Sequence, residues 1–330
     1  MIAFGLLLLA LSPLRIDSAA DYSRRHGGEV LVIREAGRTV HDEQSMAARR
    51  GERYACLSIT KSLVGTLFLA ARNDGLLDLD ERASDTLTEW RKKPAKRDIR
   101  IRDLLNLQAG LSPGYHCLYR KKIANKAKEA VALGMTGEPG GQFAYGPADF
   151  EVLEELLARK LKARGVSPLS YFQRRLFNYI GASIEGWRLD LSGNPYFSTG
   201  ARLSVPQFLR FGDIVLNAGR PGLTRWFCAD LGAIYDPRAG LPVYALGFWR
   251  NLSRGNEINV EREIGERTEL SFWRDACLSR SAPRDMVAMI GSYGQRLYVV
   301  PSRKLVVLRL GQSRHFDDAA FLRELFGPAR

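Results

Sequence analysis

The stretch Tyr-Ala-Cys-Leu-Ser-Ile-Thr-Lys-Ser-Leu-Val-Gly, residues 54–65, sets Lys61 three positions after Ser58 inside an otherwise apolar run. Burying an ammonium is costly unless it is paired or gives up its charge. Helix positions i and i+3 share a face, so the Ser58 hydroxyl and the Lys61 amine would project together. Partial desolvation weakens the lysine's hold on its proton, and a neutral amine can then take the proton of the serine. A serine at the start of a helix also meets the positive end of the helix dipole, which favours the attacking alkoxide. Such a pair can carry out nucleophilic acyl transfer. An isolated Ser-x-x-Lys is common by chance, however, and equally describes a surface lysine on a capped helix.

The elements around the pair therefore matter. A helix is expected from about Ser58 to Asn73, with Ile59, Leu63, Leu67 and Ala70 on one face and Gly75 as its stop. Ahead of it, EVLVIREAGRTVHDE reads as a hairpin turning at Glu35-Ala36-Gly37. From 78 to about 235 the pattern is mostly helical, with a helix over 147–164 and another capped by Ser204 with Pro206 in its first turn. Strands return at 243–251, 294–301 and 304–311, and a helix closes the chain. Strands at both ends enclosing a helical middle predict an α+β fold. One sheet would be built from 21–77 and 236–330, and 78–235 would be an inserted helical lobe. A cleft between such lobes is a natural ligand site.

Several segments share one resemblance. SITKSLVGTLFLAARNDGLLDLDERAS is very similar to the serine–lysine stretch of the penicillin-recognising serine hydrolases, which include class C β-lactamases, D-alanyl-D-alanine carboxypeptidases and related esterases and amidases. IRDLLNLQAGLS, PGGQFAYGPADFEVLEELLARKL, STGARLSVPQFLRFGDIVLNAG, YALGFW and MIGSYGQRLYVVPSRKLVVLRLG resemble later segments of that family in the right order, from about residue 28 to 326. The resemblance implies an antiparallel sheet flanked by helices and an acyl-enzyme mechanism. It gives Ser58 the role of nucleophile, Lys61 that of base and Tyr145 that of proton shuttle. It also implies an oxyanion hole made by the backbone N–H groups of Ser58 and Ser292. Gly291 would let substrate come close to the strand backbone. Neither a metal nor an organic cofactor is expected.

Two substrate-binding positions depart from the family pattern. Pro147 stands where the second motif usually has asparagine, which deletes a side-chain amide that would hold a substrate amide. Met289 stands where the third motif usually has lysine or histidine, and a thioether cannot pair with a substrate carboxylate. β-Lactams and D-alanyl peptides both carry that carboxylate, so the expected substrate is an uncharged ester or amide, small-molecule or peptide-like. A cell-wall D,D-carboxypeptidase or weak β-lactamase, with charge supplied by arginines from elsewhere, is the alternative. A non-catalytic binding protein on the same fold is a third reading, disfavoured by the intact Ser58, Lys61 and Tyr145.

Other features bound the reading. Residues 2–11 are apolar but too short to span a bilayer, and Ser18 and Ala20 would suit a cleavage site before Asp21. A signal peptide over 1–20 and export to the periplasm or beyond are expected, although no basic residue precedes the apolar run. The net charge of +13 is concentrated in RKKPAKRDIR (91–100) and RKKIANKAK (120–128). That suits a solvated basic face with at most a loose attraction to an anionic cell wall or membrane surface. No nucleic-acid motif accompanies it. Cys56, Cys117, Cys228 and Cys277 show no zinc or redox spacing and leave three disulfide pairings open. Gly110-Leu-Ser-Pro-Gly114 matches a G-x-S-x-G nucleophile elbow in letters, but Pro113-Gly114 reads as a turn and no strand precedes it.

Overall fold

The computed structural model describes residues 12–120, 122–218 and 229–329. Its centre is a seven-stranded antiparallel sheet in the order β2-β1-β9-β8-β7-β6-β5. The strands are β1 (Gly28–Glu35), β2 (Arg38–Gln44), β5 (Tyr244–Ala245), β6 (Phe248–Arg250), β7 (Val287–Gly291), β8 (Gln295–Val300) and β9 (Leu305–Gly311). β3 (Tyr54–Ala55) and β4 (Arg202–Leu203) form a separate antiparallel pair. β7, β8 and β9 are buried at every residue, which is why they read as continuous apolar runs: both faces of the sheet are covered.

The Asp318–Phe326 helix covers one face, with Phe321 stacked on Tyr298 and Asp318 bonded to Arg296. The Val205–Leu216 helix covers the other, where Gly212 sits against Val306 and Leu297. Residues 296 and 298 alternate with 297 along β8, so the two helices lie on opposite faces. The Ser204 side chain and Gln207 form the capping box that opens the Val205–Leu216 helix, and Pro206 stands in its first turn as expected. This helix packs on the sheet, although it falls within the 78–235 span expected for the inserted lobe.

One expected strand is corrected. The run 243–251 is not one strand. It is the β5–β6 hairpin, closed by Leu246 (φ 53°) and Gly247 (φ 85°), both left-handed as a two-residue hairpin turn requires. The apolar residues 2–11 lie outside the described residues, but Ile16–Arg25 is a helix with Ala19 and Ala20 in the core. It is tied to the terminal helix through Ser18 to Glu324 and the Arg15 amide to the Leu325 carbonyl. A cut after Ala20 would divide it. Among the described residues no helix is long and apolar enough to cross a membrane.

Candidate active site

Ser58 sits at the junction of β3 and the Ile59–Asn73 helix. The Cys56 amide bonds the Ala201 carbonyl at 2.9 Å, and Leu57 is held at φ 48°. A left-handed leucine costs on the order of 1 kcal/mol, and here it sets the sharp turn that presents the next residue. Ser58 is the N-cap residue, yet its hydroxyl caps no helix amide and so remains free for chemistry. The helix behind it is buried from Ile59 to Ala71. The β5–β6 turn fixes its first two turns: Ser62 Oγ donates to the Gly247 carbonyl at 2.6 Å. A Cβ at Gly247 would meet the Lys61 carbonyl oxygen at 2.5 Å.

Lys61 Nζ lies 3.2 Å from Ser58 Oγ and 3.3 Å from the Ser198 carbonyl, with the side chain only 1 % exposed. Burial brings its pKa down from 10.5 to about 7, against an opposing pull from Glu151 and with a further push down from Lys126. A large share of the molecules therefore carries a neutral amine near pH 7, as general-base action on the serine requires.

Tyr145 faces the same point from the other lobe. Gly146 is pressed on the Pro113 carbonyl, which leaves no room for a Cβ, and Pro147 caps the Ala148–Lys162 helix. The Ser58 and Trp249 side chains neighbour the Tyr145 phenol, and Lys61 Nζ stands 4.9 Å from its ring centroid. Burial pushes its pKa up to about 12, an effect the Ser58 and Trp249 contacts reduce. The phenol thus stays protonated, suited to relaying a proton, while Lys61 is the stronger candidate for base. Trp249, stacked on Tyr145 at 5.6 Å, received no role from the sequence.

The end of β7 closes the site. A Cβ on Gly291 would meet the Cys56 carbonyl oxygen at 2.5 Å, so glycine is needed because the strand end touches the turn before Ser58. This differs from the expected reason, an approaching substrate. Ser292, the next residue, is exposed, and among the described residues neither its amide nor that of Ser58 donates to a backbone carbonyl. Arg296 Nη1 holds the Gly291 carbonyl at 2.6 Å and is itself bound to Asp318 and Glu261. Met289 is fully buried in β7.

Other candidates fall away. Leu111, before Ser112, makes only an isolated bridge to Met135 and follows a helix, so the elbow geometry is missing. Cys56, Cys117 and Cys277 are free, burial raises the Cys56 thiol far above its usual range, and Cys228 lies outside the described residues. Lys126, counted with the basic face, is instead buried against Glu151. Lys96 is buried too, its ammonium bonding the Val131 carbonyl at 2.9 Å. Neither burial could be told from the charge runs alone.

The Beta-lactamase family model matches residues 16–325. Similar solved structures include a putative β-lactamase from Bacteroides dorei, with TM-score 0.68 and 14 % identity over 93 % of this chain and 94 % of that one. A class C β-lactamase from Rhodobacter sphaeroides matches with TM-score 0.67 and 17 % identity over 94 % and 96 %. A putative 6-aminohexanoate-dimer hydrolase from Bacillus anthracis matches with TM-score 0.63 and 16 % identity over 89 % and 76 %. At these identities the structural matches show the fold. Comparison with curated protein sequences gives no match.

Proposed function

The chain belongs to the beta-lactamase family, and from that premise we propose that it is an acyl-enzyme serine hydrolase acting on an ester or amide without a carboxylate at the usual recognition point. The observation that carries this reading is the buried Lys61 amine, with a pKa near 7, held 3.2 Å from Ser58 Oγ. Ser58 Oγ attacks the carbonyl carbon as Lys61 takes its proton. The developing oxyanion rests on the Ser58 and Ser292 amides. As the carbonyl re-forms, the leaving group departs with a proton relayed from Lys61 through Tyr145. Water, deprotonated by the same pair, then releases the acyl group.

What the site lacks supports this substrate class. Met289 offers no charge, Pro147 offers no amide, and Arg296 at the strand end is occupied by Asp318, Glu261 and the Gly291 carbonyl. Intact-mass spectrometry after exposure to a fluorophosphonate and, separately, to a penicillin tests the reading. A fluorophosphonate adduct on Ser58 with no penicillin adduct supports it. Adducts from both return the cell-wall enzyme, and adducts from neither return a binding protein. Export is proposed with the cut ahead of the Ile16–Arg25 helix, because Ala19 and Ala20 are core residues. Terminal sequencing of the secreted protein checks this.

A further inference from the structure

A second buried cation stands behind the base. Lys126 opens the Lys126–Ala132 helix, and its Nζ lies 3.2 Å from Glu151 Oε1, with side-chain exposures of 1 % and 0 %. The same ammonium sits 3.9 Å from the Tyr196 ring centroid and 3.4 Å from Ser198 Oγ. Glu151, on the Ala148–Lys162 helix, accepts hydrogen bonds from the Phe197 amide at 3.2 Å, the Ser198 amide at 3.0 Å and the Ser198 hydroxyl. Residues 197–199 form a turn outside any strand or helix. Their amides therefore lack a ladder, and the carboxylate satisfies two of them. The carbonyl of that same Ser198 is the one 3.3 Å from Lys61 Nζ.

We infer that Lys126 and Glu151 are positioning residues for the base: the pair fixes the Ser198 carbonyl against Lys61 and keeps the charge beside Lys61 balanced. The inference deepens the serine-hydrolase reading and rests on it. Lys61 is faced by Ser58, by the Tyr145 ring, by Asp149 and Glu151 from the Ala148–Lys162 helix, and by Lys126 from its own helix. Tyr145 is neutral, and burial drives the Asp149 carboxyl well above its usual range, so it too carries little charge. Burial lowers the Lys126 pKa as well, but its ion pair with Glu151 opposes this, so Glu151 and Lys126 are then the charges that count. Glu151 alone would favour a protonated Lys61, which cannot act as base. Lys126 offsets it.

The test is the pH dependence of fluorophosphonate labelling at Ser58 in the full chain, followed by intact mass between pH 5 and 10. Thermal melts check folding. In Lys126→Met the unpaired Glu151 holds Lys61 protonated, so the acid limb moves up by roughly one pH unit or more. Labelling on that limb falls about tenfold at a given pH, and it recovers at high pH. Glu151→Gln moves the limb the other way, and the double variant returns it toward the wild-type position. A purely structural role lowers labelling at every pH without moving the limb. Where Lys126→Met does not fold, Glu151→Gln and the charge-keeping Lys126→Arg decide: a downward shift in the first and a wild-type limb in the second support the inference. Folded variants whose limb stays in place overturn it while leaving the hydrolase reading intact. A wild-type protein that never labels at Ser58 overturns both.

Discussion

The α-carbon of Gly291 and the carbonyl oxygen of Cys56 are so close that a single added methyl group would stand 2.5 Å from that oxygen. One contact thereby joins the end of β7 to the turn that presents Ser58, and it sets the spacing of the two amides expected to hold an oxyanion. Gly291→Ala should push them apart and slow labelling of Ser58 by ~10²-fold or more, the scale of losing one oxyanion donor. Stopped-flow labelling with a melt as control measures this. An alanine variant that labels at the wild-type rate would remove Ser292 from the mechanism.

Ser58→Ala should abolish both labelling and turnover with little effect on stability, within about 1 kcal/mol, because the hydroxyl caps no helix amide. Residual turnover in a variant that melts like the wild type would mean that another nucleophile acts.

The protonation of Lys61 makes activity and stability depend on pH in linked ways. Labelling should fall on acidification through about pH 7, as the amine becomes charged. Its folded-state pKa lies below its unfolded value of 10.5, so the unfolded chain binds more protons between about 7 and 10.5. This group therefore destabilises the fold fully below about pH 7, and the penalty is relieved as pH rises through that window. Lys61→Met should be inactive yet more stable near neutrality, by roughly 2–4 kcal/mol. Paired melts at pH 7 and pH 10 check the sign: the gain must shrink at the higher pH.

Met289→Lys restores the family's usual charge in name only. The position is fully buried, so an uncompensated ammonium there should cost about 2–4 kcal/mol, with no penicillin adduct gained. A stable lysine variant that reacts with penicillin would show that residue 289 does set specificity.

Much of this site was legible in residue types and spacing. Ser58 and Lys61 fall on one helical face, Pro206 and Ser204 announce a helix start, and the runs 294–301 and 304–311 show strand composition. These signals are local, and each has a direct physical cause. What stayed hidden depends on distant parts of the chain. Lys126 and Lys96 look like any lysine in a basic run, because the groups that bury them, Glu151 for one and the Val131 carbonyl for the other, come from other elements. The β5–β6 turn was hidden because leucine at a left-handed position is uncommon and breaks no sequence pattern. Trp249 pairs with Tyr145 only once the two lobes meet. The Ile16–Arg25 helix follows an apolar run that turned the reading toward a signal peptide.

The register of β1 against β9, with Val30 beside Leu310 and Ile33 beside Val307, has a kinetic consequence. This junction joins segments far apart in the chain, so its closure must await the synthesis of β9. Loop-closure entropy opposes that pairing, and a topology of such high contact order folds slowly. Until β9 arrives, β1 presents an unpaired apolar edge, which exposes the nascent chain to aggregation or to capture by holdase chaperones. A version truncated before Leu305 should accumulate in that open form, without a cooperative melt.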